Sequence, residues 1–292
     1  MSTPAIGTVS GSAPLMRVGR IPYVNCYPVY GAVDRGIVPL AGTLVDGVPT
    51  ALNAKMAAGE LDLSVVSAVE YARDWERYLL LPDLAISCDG PVRSVMLFSD
   101  RPAPELAGAR VVVSRSSMTS VYLLELLFEH VWRAKPEFVR GDAEAADLTS
   151  GDLDDNASAR LVIGDAALML SAGAIPSRFA HRYDLGAVWK EWTGLPFVFA
   201  VWVADRRAPT AAALAIHAAL IESRNWGLAN IPELAAEAAR VTGVSAHACA
   251  EYLRGLDYGF SYPHIGGLTE FYRRLTLAGH VAPGRLAFLP AA

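Results

Sequence analysis

The 292-residue chain has only three cysteines, Cys26, Cys88 and Cys249, and no two of them form a CxxC pair. A disulfide framework and a cysteine-built zinc site are thereby excluded. So sparing a use of thiols points to a reducing compartment, most simply the cytoplasm. Runs of lysine or arginine are also lacking. The 25 basic residues are scattered among 30 acidic ones, for a net charge of −5, which argues against a nucleic-acid partner. The longest apolar run, Leu195 to Ala204, is too short to cross a bilayer, so no membrane partner is expected. Met1 to Leu15 contain no basic residue followed by an apolar core, and so do not look like a secretory signal. Residues 1–14 read as a frayed, disordered tail.

Familiar catalytic signatures are missing as well. No GxGxxG follows a strand, and neither a P-loop nor a GxSxG is present. The six histidines (130, 181, 217, 247, 264 and 280) lack metal-ligand spacing. Asp152, Asp154 and Asp155 sit in an acidic, loop-like stretch and read as a solvated edge. No metal or other cofactor is therefore expected, and the sequence specifies no oligomeric state.

What the chain does have is apolar content. Hydrophobic residues make up 53% and mean hydropathy is +0.29, which implies a large buried core. From Met16 onward strand-like and helix-like segments alternate, the pattern of an α/β protein. Met16–Ile21, Leu40–Asp46 and Leu61–Val66 read as strands. Between them lie helices over Val29–Gly36 and Ala51–Ala58, the latter with Pro49 in its first turn and Gly59 at its end. Ser67 is placed to cap a helix from Ala68 to Trp75. Further on, Ser116–Ala134 reads as one long helix stopped by Pro136 and Tyr183–Val188 as an amphipathic strand. Phe197–Ala204 has the unbroken apolar character of a buried, parallel-sheet strand.

Two proline-bearing connections, Asp100–Pro104 and Asp205–Pro209, bracket the central block and read as hinges. They predict a discontinuous lobe of residues 15–99 plus 206–292 and a second lobe of residues 100–205, with ligand bound between them. One large doubly wound domain with a helical tail is the alternative.

Four segments are candidates for such a cleft. The first is the strand-to-helix loop Pro22-Tyr23-Val24-Asn25-Cys26-Tyr27-Pro28, whose prolines hold the backbone out of regular structure. It also fits a tight turn packed on its tyrosines. The second, Asp89-Gly90-Pro91-Val92-Arg93-Ser94, is a turn entering a strand. The third, Ser114-Arg115-Ser116-Ser117-Met118-Thr119-Ser120, holds five hydroxyl residues in seven at the start of the longest helix. N-capping needs only one of them, and the excess suits an anion. The fourth, Ile163-Gly164-Asp165-Ala166-Ala167, offers close backbone approach plus a carboxylate that either binds ligand or only caps its helix. Glu191 to Pro196 adds an aromatic wall or forms a surface turn.

Taken in order, these residues resemble one family. Met16 to Cys26 is similar to the N-terminal signature of the menaquinone-biosynthesis chorismate dehydratases of the futalosine pathway. The likeness continues through Gly47-Val48-Pro49, Gly59-Glu60-Leu61-Asp62, Gly90-Pro91-Val92-Arg93-Ser94-Val95, Ser116 to Ser120, Ile163 to Ala167 and Thr193 to Ala200. It covers most of residues 16–275, and the segment before Met16 stands outside it. The resemblance implies a two-lobed fold like that of type II periplasmic binding proteins, without secretion. It implies chorismate as the small-molecule partner, converted to 3-[(1-carboxyvinyl)oxy]benzoate and water. By this resemblance the family's catalytic Asn falls on Asn25 and a substrate-contacting Ser on Ser94. The expected binding set is Tyr23, Ser94, Ser116, Ser117, Thr119, Ser120 and Asp165. Two other functions share this fold: the sister naphthoate synthase of the same pathway, and a non-catalytic solute-binding protein.

Overall fold

The computed structural model describes residues 15–141 and 156–290. The tail expected over 1–14 and the acidic carboxylates of 142–155 lie outside the described residues. Two five-stranded sheets organise the chain. In the first, β1 (Met16–Arg20), β2 (Gly42–Asp46) and β3 (Leu63–Ser67) run parallel, with β1 in the middle. They alternate with α1 (Tyr27–Asp34), α2 (Pro49–Ala58) and α3 (Ala68–Arg73). β4 (Tyr78–Cys88) forms the far edge. In the second sheet β6 (Arg110–Ser114) lies parallel to β7 (Glu137–Gly141) and β8 (Ala159–Ile163). There β5 (Val95–Ser99) runs antiparallel between β8 and β9 (His181–Asp184).

β10 (Phe197–Asp205) returns to the first sheet, between β3 and β4, and is antiparallel to both. Its expected parallel setting is thus corrected. Eight of its nine residues are buried, and burial on both faces produces an unbroken apolar run whatever the strand direction. The lobe boundaries shift with it. β5, expected within 15–99, pairs in the second sheet, and β10, expected within 100–205, pairs in the first. The chain therefore crosses between sheets near residues 89–94 and 194–196, not at Asp100–Pro104 and Asp205–Pro209. Pro102 instead caps a single 3-10 turn, Ala103–Glu105, beside the second sheet.

One strand and one helix expectation also change. Tyr183–Val188 is not one strand, because β9 stops at Asp184 and α6 (Leu185–Thr193) begins there. The Asp184 carboxylate accepts the Ala187 amide at 3.1 Å, and this capping bond outweighs the alternating pattern. The long helix over 116–134 is shorter: α4 (Thr119–Leu127) runs into one π turn, Phe128–Trp132. α5 (Gly164–Ser171) follows β8.

After β10 come α7 (Thr210–Ala229), α8 (Ile231–Thr242), α9 (Ala246–Arg254) and α10 (Tyr262–Leu277). α7 packs on α1 so closely that a Cβ at Gly227 would lie 2.2 Å from the Pro28 carbonyl oxygen. That contact pins the end of the Pro22–Pro28 loop against the first sheet. The chain then runs back past β4, where the Leu80 amide donates to Ala287 and the Leu289 amide to Leu80, each at 2.8 Å.

Candidate functional site

A cavity opens between the two sheets, at the carboxyl ends of the parallel strands. Six of the expected residues line it: Tyr23, Asn25, Ser94, Ser117, Thr119 and Ser120. Ser116 and Asp165 do not. The Ser116 amide donates to Ser114 Oγ at 3.1 Å, which folds that residue back on its own strand end. Asp165 lies behind the wall, where Oδ1 accepts the Val24 amide at 3.0 Å. Its carboxylate ties the asparagine loop of the first sheet to α5 of the second.

Five helical segments begin at this cavity, α2 among them through Pro49. Asn25 and Cys26 lie in the 3-10 turn Val24–Cys26 that leads into α1, and Ser67 precedes α3. Thr119 and Ser120 open α4, and Gly164 opens α5. The early amides of a helix have no partner within it, and its N-terminal end carries partial positive charge. Val121 and Tyr122 are the first α4 amides to find a backbone acceptor, the Met118 carbonyl. Ser117, Thr119 and Ser120, ahead of them, all line the cavity. Gly164 has φ +64, and a Cβ there would stand 3.0 Å from the Tyr23 ring. Only glycine lets that ring pack over the start of α5 without strain.

Among the described residues, no Asp, Glu, His, Lys or Arg lines the cavity. The one thiol, Cys26, is 2% exposed, and burial together with the nearby Asp165 charge pushes its pKa far above the ordinary thiol value. It is held as SH, which is neither nucleophile nor base at neutral pH. The site is therefore positive by dipoles and neutral by side chains. Buried Asn25 Oδ1 has no hydrogen-bond partner. An orphan acceptor in a cavity wall carries a desolvation cost that a bound donor removes.

Other polar groups are committed to the framework. Thr119 Oγ1 accepts the Val69 amide at 3.2 Å, a link from α4 to α3 across the cleft. Ser94 Oγ donates weakly to the Val92 carbonyl, at 3.4 Å, and the buried Tyr252 hydroxyl lies beside it. Sequence reading missed two residues here. Ser67 was expected as a capping residue. Its side chain makes no capping bond and instead lines the cavity, while its amide donates to Asn53 Oδ1 at 3.1 Å. Asp184 accepts the Val92 amide at 3.0 Å and the Arg93 amide at 2.6 Å, which holds the turn before Ser94. Arg93 sits there at φ +62, in the left-handed region. The acid that pins it is 91 residues away in sequence, and no local signal points to it.

A family model described as menaquinone biosynthesis matches residues 16–276. A chorismate dehydratase of Thermus thermophilus is 35% identical over 271 residues, covering 88% of this chain and 96% of the relative. Among solved structures, a protein from Archaeoglobus fulgidus superposes with a TM-score of 0.74 at 19% identity, covering 91% of this chain and 98% of its own. The alkanesulfonate-binding protein of Xanthomonas axonopodis pv. citri gives 0.67 at 13% identity, with 96% and 98% covered. At such identities the structures speak to fold alone. They bear out the two-lobed α/β fold like that of periplasmic binding proteins. Among the described residues, no helix is long and apolar enough to cross a membrane.

Proposed function

The chain belongs to the menaquinone-biosynthesis family, and from that premise we propose that it is a chorismate dehydratase, a lyase that forms 3-[(1-carboxyvinyl)oxy]benzoate and water from chorismate. The observation that carries this reading is a partnerless Asn25 Oδ1 in a cavity that, among the described residues, no acidic or basic side chain lines, ringed by helix starts and hydroxyls. A substrate with two carboxylates suits such a wall, because helix N-termini and hydroxyls bind anions without adding a group that would take up protons. The C3 hydrogen of chorismate is acidified through the ring diene conjugated to the ring carboxylate. Its loss, with departure of the C4 hydroxyl, leaves an aromatic ring.

The base is the point where this site differs from most. Neither the asparagine amide nor the buried Cys26 thiol accepts a proton at neutral pH. In our reading the substrate's own enolpyruvyl carboxylate takes the C3 proton. Asn25 orients that carboxylate and the hydrogen it receives, since an amide donates and accepts at once. Ser117, Ser120 and the α4 amides hold the ring carboxylate, and Ser94 bonds the ring substituents. Negative charge spreading into the ring carboxylate then meets donors already in place.

The cavity is about 70 Å³, against the roughly 300–1,000 Å³ usual for ligand clefts. Substrate entry therefore requires the sheets to part. We place the hinges at 89–94 and 194–196, with Val24–Asp165 and Val69–Thr119 as the bonds broken on opening. The test is incubation of the purified protein with chorismate alone. One equivalent of the carboxyvinyloxybenzoate should form per chorismate consumed. Chorismate recovered intact at micromolar enzyme over hours would overturn the assignment.

A further inference from the structure

A second cavity, about 370 Å³, lies on the first-sheet side of the molecule. None of its residues lines the substrate cavity. Its walls are the end of α3, the last turns of α10 and the returning segment 281–286. Tyr71 and Tyr272 stack at 6.3 Å with 17° between their planes, and Trp75 adds a third ring. Both tyrosine hydroxyls are already spent: Tyr71 donates to the Arg285 carbonyl at 3.0 Å, and Tyr272 to the Ala68 carbonyl at 2.6 Å. Tyr71 is itself only 1% exposed and backs Tyr272, so the ring surface that faces the space is that of Tyr272 and Trp75.

The charge at the rim has one sign left over. Arg273 is matched by Glu270 through two bonds, of 2.7 and 2.8 Å. Arg285 forms no ion pair among the described residues, and its guanidinium lies 5.3 Å from the Trp75 ring centroid. Burial pushes the Tyr71 phenol up, and the cations Arg206 and Arg285 pull it the other way. Of these two only Arg285 lines the cavity, and with Arg273 matched by Glu270 it is the charge a ligand meets there. A volume in the usual ligand range, flat rings at its edge and one guanidinium without an ion pair among the described residues define a chemistry.

We propose that this cavity is a second binding site, for a planar aromatic carboxylate, with the ring lying on Tyr272 and Trp75, backed by Tyr71, and the carboxylate paired with Arg285. α3 connects it to the substrate cavity: Ser67, just before that helix, lines one, and Tyr71 and Ala72, near its end, line the other. The proposal stands whether or not the chain acts on chorismate, since its test reads binding alone.

The test uses 2-naphthoate and its neutral isostere 2-naphthamide, titrated by calorimetry and by tryptophan fluorescence at low salt. Naphthoate should bind at least tenfold more tightly than the amide, and Arg285→Met should bring the two to parity while the melting temperature holds. Trp75→Leu should remove the fluorescence response, and saturating chorismate should not displace the probe. Equal affinity for acid and amide in the unaltered protein would overturn the proposal even if Arg285→Met failed to fold. So would undiminished naphthoate binding in Arg285→Met, or displacement of the probe by chorismate.

Discussion

On the first-sheet wall of the substrate cavity Asn25 holds a buried amide oxygen with no partner. On the second-sheet wall Thr119 spends its hydroxyl on Val69, and Ser94 leans on Val92. The walls thus do different work. The first presents an acceptor whose desolvation is offset only when a donor arrives, which is why our proposal sets it at the reacting hydrogen. The second presents donors, some already engaged in holding the sheets together, which suits anion binding coupled to closure. In the hydroxyl-rich stretch, then, one hydroxyl holds the framework and others line the cavity for the anion we propose, a division that a sequence cannot show.

The sharpest way to break this comparison is at Asn25. Asn25→Ala should leave chorismate binding largely intact and lower kcat by roughly a hundredfold or more, the scale of a lost proton-transfer group. Asn25→Asp should impair both binding and turnover, because it sets a negative charge beside a dianion in a dry cleft. Near-normal kcat in Asn25→Ala would reverse the roles of the two walls.

Next in size is the second wall. Ser117→Ala with Thr119→Ala should weaken substrate binding by about 1–3 kcal/mol, the cost of unpaired charged hydrogen bonds. The Val69 amide should also exchange faster with solvent, since its acceptor is gone. Protected exchange with weakened binding would mean the hydroxyls serve the anion only, and the reverse would make them a latch. Ser94→Ala should reduce kcat/KM about tenfold with little change in melting temperature, as expected for one hydroxyl at a cleft surface. A lowered melting temperature with normal kinetics would instead assign Ser94 to the Tyr252 packing.

The smallest effect is expected at Cys26. Its thiol titrates above the ordinary 9.0 because burial and Asp165 oppose the thiolate. The unfolded chain ionises near 9.0 and the folded one does not, so this contribution to stability is whole below pH 9 and is lost as pH rises beyond it. Between pH 6 and 8 activity should show no thiol titration, and iodoacetamide should leave the native enzyme active. Rapid inactivation would bring Cys26 into the chemistry and remove the neutral character of the first wall.

Short-range information was enough for much of this protein. The alternation of β1, α2 and β3, the turn chemistry of Pro49 and Gly59, and the clustering of hydroxyls ahead of α4 are all local, and so were legible. So was the asparagine loop, because two prolines and a strand end mark it without help from the rest of the chain. Tertiary structure alone decided which sheet β5 and β10 join, because a strand buried on both faces reads the same in either. It also decided that Asp165 is a tie to Val24, and that Asp184 holds the turn before Ser94. Those carboxylates find backbone amides across 141 and 91 residues, and a bond of that span leaves no periodicity or spacing to read.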